Sequence, residues 1–252
     1  VRPTDADVTR TADTLNAAQR VTILAGAGVQ GAHDEVVELA RALQAPVVHA
    51  LRGKEFIEYD NPYDVGMTGL LGFSSGYRAI EKCDTLLMLG TDFPYQQFYP
   101  SKATIIQVDI RGEQIGRRCP VDIPLVGDVG DTVRALLPLI SADRDPEHLT
   151  ASLAHYTKAR RRLDELADND RNRPPIHPQY LTRLISEKAS ADAVFIPPDV
   201  GSPVVWAARY LVMNGARRLI GSFNHGSMAN AVSQAIGAQS AYPRSSDHRA
   251  RR

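Results

Sequence analysis

The chain has 252 residues, 43% hydrophobic and 23% charged, a globular composition with room for one large domain or two ordinary ones. Lysine plus arginine and aspartate plus glutamate number 29 each, so no basic excess points to nucleic acid or to an anionic membrane surface. Two distant cysteines, Cys83 and Cys119, exclude a disulfide scaffold and a Cys-rich zinc site and fit a reducing, cytoplasmic compartment, and no apolar run approaches the roughly 18 residues of a membrane span.

In chain order, residues 1–20 predict an approach helix, and Val21-Thr22-Ile23-Leu24-Ala25 a strand. The glycine turn Gly26-Ala27-Gly28-Val29-Gln30-Gly31 leads into a helix over 34–43, and 46–51 is a second strand. A glycine-rich loop follows over 66–76 and runs into another helix. Continuous apolar runs at 85–90 and 104–110 have the signature of parallel strands buried on both faces, and 123–128 is a shorter strand before a helix over 131–140. This alternation predicts an α/β domain over 1–140. Residues 141–175 are charged and end in Pro174-Pro175; they predict a linker with a helix and a narrow apolar stripe at Leu153, Tyr156, Leu163 and Leu166. A second α/β module spans 176–252, with helices over 178–189, 203–213 and 226–240 and strands at 193–196 and 218–221. Two short strands with three helices cannot cover both faces of a parallel sheet, the final residues Tyr242 to Arg252 have no periodic pattern, and residue 1 is Val. These features predict a cut edge and a piece of a longer protein.

Several segments suit a ligand, each with a plainer alternative. Gly26 and Gly28 have dinucleotide-loop spacing, which permits a tight turn and close approach of a pyrophosphate. The second strand nevertheless ends in His49-Ala50-Leu51, without the acidic residue of an ordinary NAD site, and a structural turn is the alternative. Thr68-Gly69-Leu70-Leu71 begins a loop whose backbone can approach a ligand, with Leu70-Leu71 expected to be buried; a surface loop is the alternative. Thr91-Asp92-Phe93-Pro94-Tyr95 follows a buried strand, where aromatic and proline side chains suit a flat ring or cap the core. Asp109 ends its strand where ribose hydroxyls would need an acceptor, whereas Asp128 suits a helix cap. Gly226-Ser227-Met228 precedes the last helix and suits either close cofactor approach or a cap with Met228 in the core.

Longer segments are more specific. Leu51-Arg52-Gly53-Lys54-Glu55, the run from Tyr59 to Gly69, Thr91 to Tyr95, and the run from Gly221 to Asn230 closely resemble the pyruvate oxidase group of thiamine-diphosphate enzymes, the bacterial pyruvate dehydrogenases (quinone) above all. The resemblance runs from Val21 to Ala238. It implies a Rossmann-like, parallel-sheet central domain that binds FAD, followed by a truncated α/β domain that binds thiamine diphosphate with Mg2+. It places Thr68 to Leu71, Thr91 to Tyr95 and Asp109 on FAD, with Gly26 and Gly28 near its phosphates. It places Gly226, Ser227 and Met228 on thiamine diphosphate, with Gly201 and Ser202 as weaker candidates. It implies pyruvate as substrate, quinone as electron acceptor, acetate and CO2 as products, and a homo-oligomer that in complete form is cytoplasmic or membrane-peripheral. The group's activating glutamate and magnesium-binding segment have no counterpart here, so no catalytic or metal residue is assigned and the chain alone is expected not to turn over pyruvate. An acetolactate-synthase-like carboligase on the same scaffold, and a non-catalytic nucleotide-binding remnant, are the alternatives.

Overall fold

The apolar runs do become buried strands. In a computed structural model that describes residues 1–168, 175–198 and 200–243, the strands β1 (Val21–Ala25) and β4 (Thr85–Leu89) are buried at every position. They pair in parallel from Val21 with Thr85 to Ala25 with Leu89. With β2 (Val47–His49), β3 (Asp64–Met67), β5 (Thr104–Asp109) and β6 (Ile123–Val126) they form one six-stranded, all-parallel sheet in the order 3-2-1-4-5-6. That is the doubly wound order, with a switch point between β1 and β4. Alternation along each strand feeds two cores. Val21, Ile23 and Ala25 join the core that contains the apolar face of α2 (His33–Leu43), while Leu24 joins the one under α4 (Ser74–Lys82). β3 and β6 are the edge strands, and Pro124 is tolerated in β6 because, among the described residues, no strand lies beyond it to need its amide.

The helices start where the local chemistry says they should. Thr4 caps α1 (Asp5–Ala17) by accepting from the Asp7 amide, and Asp128 caps α5 (Val129–Leu136) through the Asp131 amide at 3.0 Å, as expected for that residue. The C-terminal ends of α1 and α2 are tied by one side chain. The Arg144 guanidinium donates to Leu15 O (2.9 Å), Ala18 O (2.7 Å) and Leu43 O (3.2 Å), at the ends of α1 and α2.

Two elements were not expected. α3 (Lys54–Ile57) is a single turn, and β3 runs into the start of the expected loop over 66–76, because Asp64 and Gly66 are poor strand formers. Burial on both faces forms β3 despite its composition. The 141–175 region contains a twenty-residue helix, α6 (Glu147–Leu166). Its Leu153 and Tyr156 pack on the core under α4, whereas Leu166 is exposed.

His148, in the first turn of α6, sits against β1. Thr22 Oγ1 donates to Ala79 O (2.9 Å), so it accepts from the His148 Nε2–H at 2.9 Å. Burial, helped by the Arg20 charge, holds the His148 pKa down to about 4. The unfolded chain therefore takes up a proton below pH 6.5 that the native chain refuses until about pH 4, so this residue makes stability fall as pH falls through that window. Urea unfolding of His148→Gln is expected to show a pH slope shallower by up to one proton between those limits; an unchanged slope would refute the assignment.

The chain divides into two compact units, Val1–Ala159 and Arg160–Arg252. In the second, β7 (Val194–Phe195) and β8 (Arg218–Leu219) form a parallel pair with α7 (Pro178–Lys188) and α8 (Ser202–Tyr210), and α9 (Asn230–Ala241) follows. Pro203 occupies the first turn of α8. Arg217 ties this unit as Arg144 ties the first, donating to Ala189 O, Ser190 O and Val212 O, with its guanidinium over the Phe195 ring. The charged run after Asp168, Asp199, and the tail after Pro243 lie outside the described residues.

Candidate cofactor site

In a doubly wound sheet, ligands sit at the carboxyl ends of the strands around the switch point. The topology brings four of the candidate segments to that end: Gly26 and Gly28 after β1, Thr68 to Leu71 after β3, Thr91 to Tyr95 after β4, and Asp109 at the end of β5.

The glycine turn is set by the protein's own backbone. A Cβ on Gly26 would lie 2.5 Å from Gly90 O and from Thr91 Cβ, and one on Gly28 would lie 2.6 Å from Gly90 Cα. The Gly26 and Gly28 amides donate to Leu89 O (3.0 Å) and Gly90 O (2.9 Å). The turn continues as one turn of 3-10 helix, Ala27–Val29, before α2, whose first turn already contains Asp34 and Glu35. The two glycines are thus required by the contact with Gly90 and Thr91, and their amides are already used within the protein.

Thr68 and Thr91 are both buried, and Thr68 Oγ1 has no hydrogen-bond partner, an open polar position at the end of β3. Gly69 has φ +95°, and a Cβ there would meet the rings of Phe93 (3.1 Å) and Tyr95 (3.2 Å), so the two candidate segments touch. Leu70 is 63% exposed, contrary to the expected buried Leu70-Leu71 pair, because the chain turns outward after Gly69. Phe93 is 4% exposed and makes edge-on contacts with Tyr95, Phe98 and Tyr99; it caps the core, while Pro94 next to it faces solvent. Asp109 is buried, and its Oδ1 accepts the Arg111 amide at 2.9 Å. The unpartnered Thr68 hydroxyl and the carboxylate at the end of β5 are polar groups of the kind that suit a nucleotide-type group, whereas the space beside Gly69 is taken by Phe93 and Tyr95.

A buried polar group beside this end escaped the sequence reading. The His49 Nδ1–H donates to Ala50 O at 3.3 Å, and its Nε2 lies 3.6 Å from Asp64 Oδ1, which has no hydrogen-bond partner. Burial, with Lys54 nearby, lowers the His49 pKa to about 3. Burial and the Glu58 charge raise Asp64 well above the carboxylate range. Burial thus disfavours charge on both partners, while Lys54 and Glu58 form an ion pair alongside. Polar residues set in apolar strand runs, such as His49 after Val47-Val48 and Gln107 after Ile105-Ile106, were the available signal.

In the second unit, Gly226 has φ +61° with open space where a Cβ would stand, and the Ser227 amide donates to Ser222 Oγ at 3.3 Å. Met228 is 81% exposed, which corrects the reading of it as a core residue. Ala229, also at positive φ, leads into α9. An exposed apolar side chain beside an open left-handed glycine fits an apolar cofactor ring at this loop. Gly201 has φ +88° with open space around it, and Ser202 begins α8. Among the described residues, no group of three or more His, Cys, Asp or Glu is set to hold a metal, and no helix is long and apolar enough to cross a membrane.

Residues 8–136, half of the chain, match the model of the thiamine pyrophosphate enzyme central domain. The chain belongs to the thiamine pyrophosphate enzymes. Residues 199–248 match this family's C-terminal TPP binding domain. An uncharacterized 42.6 kDa protein of Pseudomonas amyloderamosa is 59% identical over 175 residues, 69% of this chain and 44% of that protein. The Bacillus subtilis protein YdaP, whose name describes it as thiamine pyrophosphate-containing, is 34% identical over 91% of this chain and 39% of its own. The acetolactate synthase of Mycobacterium bovis is 28% identical over 96% of this chain and 40% of its own. The chain thus spans about two fifths of the length of these relatives.

Proposed function

We propose that this chain is the central and C-terminal portion of a thiamine-diphosphate enzyme that decarboxylates pyruvate and joins the two-carbon unit to a second 2-oxo acid, the acetolactate-synthase type of reaction. The observation that carries this reading is the alignment with acetolactate synthases over 96% of the chain, together with both domain types in the expected order. Thiamine diphosphate, when bound, supplies the electron sink for loss of CO2. The loop from Gly226 to Met228 would contact it, with Met228 offering an apolar face. Gly201 caps α8 and Ser202 opens it, where helix amides favour an anionic group.

FAD is proposed for the central unit, against Thr68 to Leu71, Thr91 to Tyr95 and Asp109. Thr68 Oγ1 supports this as a buried hydroxyl without a hydrogen-bond partner. In this reading Gly26 and Gly28 lie near the phosphates, although their own close contacts are with Gly90 and Thr91. A second reading is favoured by the wording of Phe93-Pro94-Tyr95 and Asn224-His225-Gly226, which resembles the pyruvate oxidase group. There the two-carbon unit leaves as acetate, and electrons pass through FAD to quinone. A homo-oligomer belongs to either reading.

Assay of the full-length gene product with pyruvate separates them. Acetolactate formed without an acceptor supports carboligation. Acetate formed with stoichiometric reduction of a quinone-like dye supports oxidation, and neither product from a cofactor-loaded protein would refute both.

A further inference from the structure

Thr91 to Tyr95 has no helical or strand hydrogen-bonding pattern of its own. It is held by side chains from elsewhere, two of them from β5 and the segment that follows it. Gln107, 3% exposed in the middle of β5, donates through Nε2 to Thr91 O (3.2 Å), while its Oε1 accepts the Gly116 amide (3.0 Å). One buried amide thus ties the segment after β4 to the segment between β5 and β6. Arg118, in that second segment, grips Asp92 with two hydrogen bonds, Nε to Oδ1 at 2.8 Å and a terminal nitrogen to Oδ2 at 3.2 Å. The first tie holds the carbonyl of the Thr91–Asp92 peptide and the second the Asp92 side chain. The next residue, Phe93, bears on Gly69, so the position of Asp92 is transmitted to Thr68 to Leu71.

We propose that Arg118, acting through Asp92 and together with Gln107, clamps the Thr91 to Tyr95 segment and so positions both loops of the candidate flavin crevice. Arg118 is a positioning residue in this scheme. The planar fork suits a carboxylate held in one orientation, whereas lysine offers only a point charge. The flavin consequence rests on the FAD reading above; the clamp itself does not.

The test is hydrogen–deuterium exchange on the whole chain, followed by FAD titration monitored by flavin fluorescence. In Arg118→Ala, amides of the Thr91 to Tyr95 and Gly112 to Arg118 segments are expected to exchange about fivefold faster, the effect of losing one partly exposed ion pair. The strands β1, β4 and β5 should stay as protected as in the wild type. Arg118→Lys should restore only part of the protection, and the charge swap Asp92→Arg with Arg118→Asp should restore more than either single change. FAD affinity of Arg118→Ala should fall roughly tenfold, as for other supporting contacts behind a binding residue. Unchanged exchange at Thr91 to Tyr95, or a uniform rise across the sheet, overturns the clamp. Faster local exchange with unaltered FAD affinity overturns its role in the crevice. A wild-type chain that takes no FAD refutes the flavin reading, and the exchange result then decides the clamp alone.

Discussion

Replacing Gly90 by alanine should lower the thermal midpoint of the first unit by about 10 °C, from a loss of roughly 3–5 kcal/mol at about 2–4 °C per kcal/mol. Three effects act together. Gly90 has φ +57°, where a side chain costs about 1 kcal/mol. Its Cβ would stand 2.4 Å from Gly28 Cα and 2.7 Å from Gly28 C, and backbone cannot rotate away as a side-chain tip can. Forcing the loops apart would also strain the bonds from Gly26 to Leu89 O and from Gly28 to Gly90 O, each worth about 1 kcal/mol. Gly31→Ala is the control. It has φ +77° with no atom near the added Cβ, so only the conformational cost remains, about 1 kcal/mol. Circular dichroism melts of the two variants test this, and equal midpoints would show that the loop contact carries no weight.

Arg144→Leu should cost about 2–4 kcal/mol in chemical unfolding, because three helix-end carbonyls lose one cationic donor. The charge also opposes the negative ends of α1 and α2. Leucine keeps much of the side chain's apolar bulk, so the loss isolates the guanidinium. Arg144→Lys should recover less than half, since an ammonium cannot reach three carbonyls in three directions. Guanidinium unfolding midpoints measure both, and a leucine variant as stable as the wild type would mean that water satisfies the carbonyls equally well.

The strands of the first unit were legible because burial on both faces demands unbroken apolar runs, as in Leu86-Leu87-Met88. β3 was not, because tertiary burial overrides the weak propensity of Asp64 and Gly66. The Asp128 cap could be read locally, since its partner is three residues away. The partners of Asp92 and His49 could not, since Arg118 and Asp64 are distant in sequence and only the sheet order brings them together. The spacing of Gly26 and Gly28 was plain, but their physical reason lies in Gly90 on another loop. Met228 needed the fold to show which way it faces.

The strand order has a consequence for synthesis. β1 is made first yet ends in the middle of the sheet, between β2 and β4. One of its edges is covered early, by Val47–His49, but the other waits for Thr85–Leu89. At about 5–20 residues per second, the nascent chain holds a bare apolar edge for several seconds, and Arg144 emerges later still. Ribosomes stalled before Thr85 should therefore display a chain that is bound by chaperones, and those stalled well beyond His148 a chain that is released from them.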